Sequence, residues 1–178
     1  MGAEQHVVPL ETLRLMLEPV RVGHAEEMVP VLADRSLYAF TGGEPPTFGE
    51  LRARYERQAT GRSPDGVEAW LNWIVRRRDD GRAIGFVQAA ISTDPPPPAP
   101  MTAVLAWVLG VSFQGHGYAR EAAGAVAGWL AGTDVQRLVA YIHPGNAASM
   151  AVARALGLHP TRDRVDVEVV WERITGSE

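Results

Sequence analysis

Residues 104–122 read Val-Leu-Ala-Trp-Val-Leu-Gly-Val-Ser-Phe-Gln-Gly-His-Gly-Tyr-Ala-Arg-Glu-Ala, and they carry the strongest signal in the chain. An apolar strand, Ala103 to Val111, runs into a glycine-rich turn, and the turn opens a helix. A helix that starts on small residues exposes free backbone N–H groups at the positive end of its dipole. That is a ready site for an anion, most often phosphate. No Lys-Ser/Thr follows Gly115-His116-Gly117, which excludes a nucleoside-triphosphate P-loop. The third glycine of a dinucleotide fingerprint would fall on Arg120, so that pattern fails as well. Gly110 interrupts the strand and predicts a bulge or a close backbone approach.

The pattern that survives is Gln114-x-x-Gly117-x-Ala119. It resembles the Gln/Arg-x-x-Gly-x-Gly/Ala turn that cradles the coenzyme A pyrophosphate in GNAT-type acetyltransferases. Gly117-Tyr-Ala-Arg-Glu-Ala is similar to the family's Gly-Tyr-Ala-Thr-Glu-Ala, with Arg120 in place of the usual Thr. Asn146-Ala-Ala-Ser149, followed by Ala153, Leu156 and Gly157, resembles the Asn-x-x-Ser helix of the RimJ/RimL-like branch. The resemblance is specific over about residues 82–160 and looser over 11–81. It implies an α/β (α+β) fold: a mixed central β-sheet flanked by helices, with central strands splayed at a β-bulge. Residues 11–175 are expected as a single domain, with flexible termini at 1–10 and 176–178.

Composition sets the outer limits. Hydrophobic residues make up 46 % and charged residues 21 %, ordinary for a globular domain. No apolar run reaches the length of a membrane span, and no basic start precedes an apolar block, so a cytoplasmic protein is expected. Cysteine is absent, which excludes disulfides, thiolate nucleophiles and Cys-ligated metals; no metal is expected. A net charge of −4 argues against a general nucleic-acid binder, and no membrane partner is expected. All basic residues counted as Lys+Arg are Arg, so an acetyltransferase would find no lysine of its own to modify.

Hydrophobic spacing orders the rest. Leu13, Leu15 and Leu17 alternate and predict a first strand to Val20. Gly23-His24 starts a helix to about Ala33, with Pro30 a kink or an early stop. Thr47-x-x-Glu50 is a capping box ahead of a helix from Leu51 to Thr60. Trp70 to Arg77 and Ala83 to Ser92 read as strands joined by a hairpin at Asp80-Gly81. Pro95 to Pro98 and Pro100 form a stiff connector, read as a plain surface loop or a ligand for a Pro-binding domain. Ala119, Ala122, Ala123, Val126, Ala127 and Leu130 share one helix stripe. Leu138 to Ile142 is a strand, Asn146 to Leu156 a helix stopped by Gly157, and Val165 to Ile174 a single closing strand. Arg76-Arg77-Arg78 beside Asp79-Asp80 reads as a solvated strand end rather than a nucleic-acid patch.

The resemblance also distributes roles. It implies an acetyl-CoA-dependent N-acetyltransferase in which a primary amine, from a protein N-terminus or a small molecule, attacks the thioester directly in a ternary complex. The alternative is a catalytically inactive acyl-CoA-binding sensor or interaction module, monomeric or homodimeric like the enzyme. Val111, Gln114, Gly115, His116, Gly117, Tyr118, Ala119 and Arg120 would hold the coenzyme. Leu109 would add pantetheine contacts and the N–H that polarises the carbonyl. Asn146 reads as a helix N-cap from its residue type, and the resemblance gives it a bond to the pantetheine arm. Ser149 would protonate the departing thiolate, since no tyrosine stands between Asn146 and Leu158; the alternative is a small packing residue.

The general base is less legible. Relatives carry an acid about where Val104 stands. Glu68, His143, Glu44 and Asp65 are the remaining candidates, directly or through a water. Holding a lysine-like amine neutral at pH 7 costs about 4.6 kcal/mol and an α-amine about 1, so a weak base favours an α-amine. Glu44, Asp65 and Glu68 with Tyr38, Phe40, Trp70 and Trp73 predict an acidic, aromatic acceptor mouth, or else ordinary loop and core residues.

Overall fold

The computed structural model describes residues 6–92 and 99–174. Its strands are β1 (Leu10–Glu11), β2 (Leu15–Pro19), β3 (Glu68–Arg77), β4 (Ala83–Ser92), β5 (Thr102–Leu109), β6 (Arg137–Ile142), β7 (His159–Val165) and β8 (Glu168–Ile174). Its helices are α1 (His24–Val31), α2 (Phe48–Gln58), α3 (Tyr118–Leu130) and α4 (Ala147–Ala155). The strands form one sheet in the order β1-β2-β3-β4-β5-β6-β8-β7. All described pairs are antiparallel except β5 with β6.

The period-2 alternation of the strands builds two cores, one on each face. Leu71, Trp73 and Val75 of β3 join the core under α3 and α4, whereas Ile74 joins the core under α1 and α2. Ala122, Ala123, Val126, Ala127 and Leu130 are the buried stripe of α3, with Ala119 half-buried at its edge. The helix ends follow local chemistry. Thr47 and Glu50 form the full capping box of α2. At the end of α4, Leu158 N–H bonds the Ala153 carbonyl and Gly157 N–H the Arg154 carbonyl. Gly157 sits at φ 78°, the left-handed conformation this Schellman stop requires.

Several expectations are corrected. Leu13 is 89 % exposed, because β2 begins only at Leu15. Val165 to Ile174 is not one strand: it holds the end of β7, a turn with Asp166 at φ 51°, and β8. The His159-Pro-Thr-Arg-Asp-Arg stretch escaped the apolar pattern because β7 is the polar, exposed edge of the sheet. Val111 lies outside β5, in a 3-10 turn of Val111–Phe113. Part of the stretch before residue 11, expected as a free terminus, is tied to the sheet. Leu10 pairs with Leu17, and Trp73 Nε1–H donates to the Val8 carbonyl at 2.7 Å. The Pro95 to Pro98 connector and residues 1–5 and 175–178 lie outside the described residues.

The feature that positions the site is where β5 and β6 part. Their ladder covers Thr102↔Arg137, Ala103↔Leu138 and Val104↔Val139, and no pair follows. β5 continues for five more residues, in register with β4 from Ser92↔Thr102 to Gly85↔Leu109. No offset interrupts that ladder, so the splay occurs without a bulge between β4 and β5. The shift nearest to it lies in β3 against β4, at Val75/Arg76. Of the two readings of Gly110, close approach holds: a Cβ there would meet Val31 Cγ1 at 3.0 Å and the Val31 carbonyl at 3.1 Å.

Gly85 is packed more tightly still. A Cβ would stand 2.2 Å from the Val108 carbonyl oxygen and 2.9 Å from Leu109 Cα. Gly85→Ala therefore must push the end of β5 outward. The expected loss is about 1–3 kcal/mol, read from the urea midpoint, and an unchanged midpoint would show that β5 yields there freely.

Candidate active site

β5 and β6 run parallel, and a helix follows each. Both helices therefore begin at the carboxyl ends of these strands, around the opening between them. Parallel strands that part at their carboxyl ends leave a crevice suited to a ligand.

The backbone lining the crevice can be deduced from the β4–β5 ladder. Gly110 N–H donates to the Ile84 carbonyl at 2.8 Å, which makes that a hydrogen-bonded pair. The preceding pair, Leu109↔Gly85, is then non-hydrogen-bonded, as is Trp107↔Val87. The N–H groups of Leu109 and Trp107 therefore turn away from β4 and toward the opening. The Leu109 carbonyl on that side accepts from Gln114 Nε2–H at 3.1 Å, so Gln114 clips the turn onto the strand end. Trp107 is a second inward donor that the sequence pattern did not single out.

The turn itself has the geometry an anion needs. Gly115 and Gly117 stand at φ 78° and 79°, which L side chains rarely adopt. Gly117 is the N-cap of α3 and offers no side-chain cap, so the first-turn N–H groups of Tyr118, Ala119 and Arg120 have no intrahelical acceptor. Asn146, by contrast, caps α4 with its own side chain: Oδ1 accepts from Ser149 N–H at 3.1 Å. Ser149 is half-buried on the first turn of α4. Val111 is 42 % exposed beside the turn, and Arg120 is exposed.

A clasp that the sequence did not reveal holds this turn. Arg14, just before β2, donates through Nη1 to the His116 carbonyl at 2.9 Å and through Nε to Glu121 Oε2 at 2.7 Å. Its backbone N–H and the Thr12 hydroxyl both donate to Glu121 Oε1. The Arg14 guanidinium also lies 4.6 Å from the centre of the Tyr118 ring, and His116 stacks on that ring at 5.7 Å. His116 and Tyr118 thus support the turn from behind. No local pattern joins Thr12 and Arg14 to Glu121 across about a hundred residues.

The proposed base residues do not come together. Glu68 pairs with Ser92, which pairs with Thr102, at the end of β5 opposite Leu109. Seven residues of strand separate those levels, roughly 23 Å. Glu68 instead accepts from Trp70 Nε1–H at 3.0 Å. Asp65 closes its own loop through Ser63 and Val67, and Glu44 pairs with Arg35 in solvent. Trp73 is fully buried against Trp129, and Tyr38 donates to the Leu32 carbonyl. Glu44, Asp65, Glu68, Tyr38, Trp70 and Trp73 are thus engaged with partners of their own, and of the residues expected at an acidic, aromatic mouth only Phe40 packs against His143. The Arg76–Arg78 run is spent on structure: Arg76 pairs with Glu18 and Glu27, Arg77 with Asp79 and Asp80, and Arg78 donates to the Thr12 carbonyl.

His143 alone of the four lies beside the opening, just past the end of β6. Phe40 packs on its ring at 5.1 Å. Its Nδ1 accepts from Gly145 N–H at 3.0 Å, which leaves a proton on Nε2 when the ring is neutral. In that state His143 presents a donor, not a base. Directly across the β6–β8 ladder, one step beyond Ile142↔Val169, stands Glu168. Burial pushes the Glu168 carboxyl above its ordinary range and nearby Asp166 adds to it, while His143 opposes the shift. A carboxylate raised by desolvation at the mouth of a crevice is suited to proton transfer. Its only sequence signal was a charged residue at the start of an apolar strand, which is common.

Among the described residues, no group of three or more His, Asp or Glu side chains is placed to hold a metal ion, and no helix is long and apolar enough to cross a membrane. Among the described strands the sheet parts at its one parallel pair, and two helix N-termini stand at the gap, a crevice suited to a ligand with an anionic group. The model of the GNAT acetyltransferase domain matches residues 14–159, and the chain belongs to that family. Among solved structures, a GNAT-family acetyltransferase from Bacillus anthracis superposes with a TM-score of 0.75 at 15 % identity, over 94 % of this chain and 99 % of that one. RimL, a ribosomal L7/L12 alpha-N-protein acetyltransferase solved with coenzyme A, gives 0.75 at 18 %, over 94 % and 98 %. The microcin C7 self-immunity acetyltransferase MccE, solved with acetyl-CoA and AMP, gives 0.74 at 15 %, over 92 % and 93 %. Likeness at these identities establishes the fold. No curated protein sequence matches the chain.

The clasp makes a pH prediction. Burial raises the Glu121 carboxyl, but the hydrogen bonds from Thr12 and Arg14 outweigh it and hold the pKa below the ordinary carboxylate range. A depressed folded-state pKa contributes stability that is complete above the unfolded value and is lost as pH falls through the folded one. Glu121→Gln should cost about 1 kcal/mol at neutral pH. The gap between the two urea midpoints should close as pH drops below the carboxylate range. A gap independent of pH would mean that the charge contributes nothing.

Proposed function

We propose that the protein is an acetyl-CoA-dependent N-acetyltransferase of RimJ/RimL-like type, moving the acetyl group to a primary amine by direct attack in a ternary complex. The observation that carries this reading is the opening between β5 and β6, into which the Trp107 and Leu109 N–H groups turn. Acetyl-CoA would serve as co-substrate and would supply the activated thioester.

Each residue then has a task that follows from its place. The N–H groups from Gly115 to Arg120 bind the diphosphate, and the two left-handed glycines let the backbone come close. The side chain of Asn146 contacts the pantetheine arm with the amide hydrogens its cap does not use. The Trp107 and Leu109 N–H groups polarise the carbonyl, an effect worth about 2.7–4 kcal/mol where such donors have been removed. Glu168 accepts the proton of the attacking amine, directly or through a water, and the Nε2–H of His143 orients it. As the C–N bond forms and the C–S bond breaks, Ser149 gives its proton to the leaving sulfur and takes one back through water from the protonated Glu168, so both groups return to their starting states. Glu168 supplies from β8 the carboxylate that Val104 does not supply from β5. The acceptor is an amine of low pKa, such as an α-amine, for which one modest carboxylate base suffices.

Two experiments test the reading. Acetyl-CoA at about 100 times its dissociation constant should stabilise the fold by about 2.7 kcal/mol. Gly117→Val should abolish that shift, because a β-branched residue resists a positive φ and blocks the approach of phosphate. A thermal-shift titration in which acetyl-CoA does nothing, with NADH and ATP as controls, would sink the assignment.

The second experiment separates enzyme from binding module. Thiol release is followed with a panel of amines. Ser149→Ala should slow turnover about tenfold to a hundredfold, the low end for one acid because thiolate already leaves well. Glu168→Gln should remove the rising limb of the kcat/KM profile against pH. Neither substitution should change acetyl-CoA affinity more than a few-fold. Tight acetyl-CoA binding with no thiol release from any amine would establish the sensor reading instead.

A further inference from the structure

Beneath α2, on the face of the sheet opposite α3, lies a small cavity of about 30 Å³, room for a water-sized group. Half of its lining is apolar, and Arg54, Tyr55, Gln58, Asn72 and Gln88 supply the polar half. Tyr55 is 3 % exposed, and among the described residues its buried hydroxyl has no hydrogen-bond partner. Leaving a buried hydroxyl without a protein partner costs about 1–3 kcal/mol. Asn72 is the other unusual residue here, a polar side chain 6 % exposed in the middle of β3.

Asn72 and Gln88 are register partners joined by one hydrogen bond, Gln88 Nε2–H to Asn72 Oδ1 at 3.2 Å. Turning both amides over reverses that bond but leaves the same remainder: one NH₂ group and one carbonyl oxygen not used between them. With the Tyr55 hydroxyl and the half-buried Arg54 guanidinium, the lining is rich in donors. Its complement is an oxygen that accepts hydrogen bonds.

The cavity also lies close to the crevice. Gln88 pairs with Ala106, an exposed small residue that leaves the sheet face open and stands next to Trp107 in β5. Adjacent strands are about 4.8 Å apart, and an extended peptide advances about 3.3–3.6 Å per residue. An amine reacting at the Trp107 and Leu109 N–H groups would thus bring its first or second carbonyl to Gln88. We infer that Tyr55 and the Asn72–Gln88 pair form a specificity pocket for a carbonyl oxygen of the acceptor, one or two peptide units from the reacting amine. The inference rests on acetyl transfer at the β5–β6 opening.

The test compares two acceptors, alanyl-alaninamide and n-hexylamine, for binding to the protein saturated with coenzyme A. Calorimetry gives both affinities, and thiol release from acetyl-CoA gives both rates. The wild type should prefer the amide. Tyr55→Phe should shrink that preference about three- to tenfold, the worth of one hydrogen bond, while leaving coenzyme A affinity unchanged. Tyr55→Phe should also keep or raise the melting temperature, since the hydroxyl has no protein partner to lose. Gln88→Leu should shrink the preference in the same direction. An undiminished preference in Tyr55→Phe, or no preference in the wild type, overturns the inference even if turnover is normal. A preference that Tyr55→Phe removes, in a protein that releases no thiol with either amine, supports the pocket and overturns the proposed reaction.

Discussion

The parting of β5 from β6 after Val104 is the constraint on which the site depends. Each strand is held by its other neighbour. β4 carries β5 in unbroken register as far as Leu109, and β8 pairs with β6 along its length from Arg137 to Ile142. Neither strand needs the other to satisfy its outer edge, so the gap is a built feature of a rigid sheet. Its inward N–H groups have their direction set by the hydrogen-bonding phase of the β4 ladder, and that phase is set by Gly110 reaching Ile84. Gly85 permits this because any Cβ there would overlap the Val108 carbonyl. A donor pair preorganised in this way needs no rearrangement when charge develops in front of it.

A second constraint is electrostatic. The α3 N-terminus is left without a side-chain cap, while α2 and α4 are capped by Thr47 and Asn146. An uncapped turn with two left-handed glycines would be loose on its own. Arg14 and Thr12 tie it down from the sheet edge, through Glu121 and the His116 carbonyl. Glu121 in the first turn also suits the helix dipole. The arrangement spends side-chain hydrogen bonds on the rear of the turn and keeps its front donors available.

The carboxylates show how local partners decide chemistry. Asp65, Glu50 and Asp79 are each held below the ordinary range by a neighbour within a few residues, by Ser63, Thr47 and Arg77 respectively. Glu18 is lowered as well; burial pushes it up, but Arg76 and His24 prevail. Glu168 is moved the other way, by burial and a nearby Asp166. Burial thus favours the protonated form of Glu168, whereas hydrogen bonds and ion pairs favour the charged form of the others.

The sequence by itself determined the fold class and the glycine turn ahead of α3, because both rest on local chemistry. Alternating apolar residues set β3, β4 and β5, Thr47 and Glu50 start α2, Gly157 stops α4, and Gly115 and Gly117 permit the positive φ of the turn. The polar edge strand β7 was hidden because its residues face solvent and leave no apolar period. The rest of the site was decided by tertiary structure. Glu68 and Leu109 lie on strands that both pair with β4, yet register puts them at opposite ends of those strands. Glu168 meets His143 only through the β6–β8 ladder, and Arg14 meets Glu121 only because β2 and the start of α3 share one end of the molecule. A strand pattern states which face a side chain takes. Which residue stands opposite it, and at what level, is set by register between segments far apart in the chain, where local spacing carries no information.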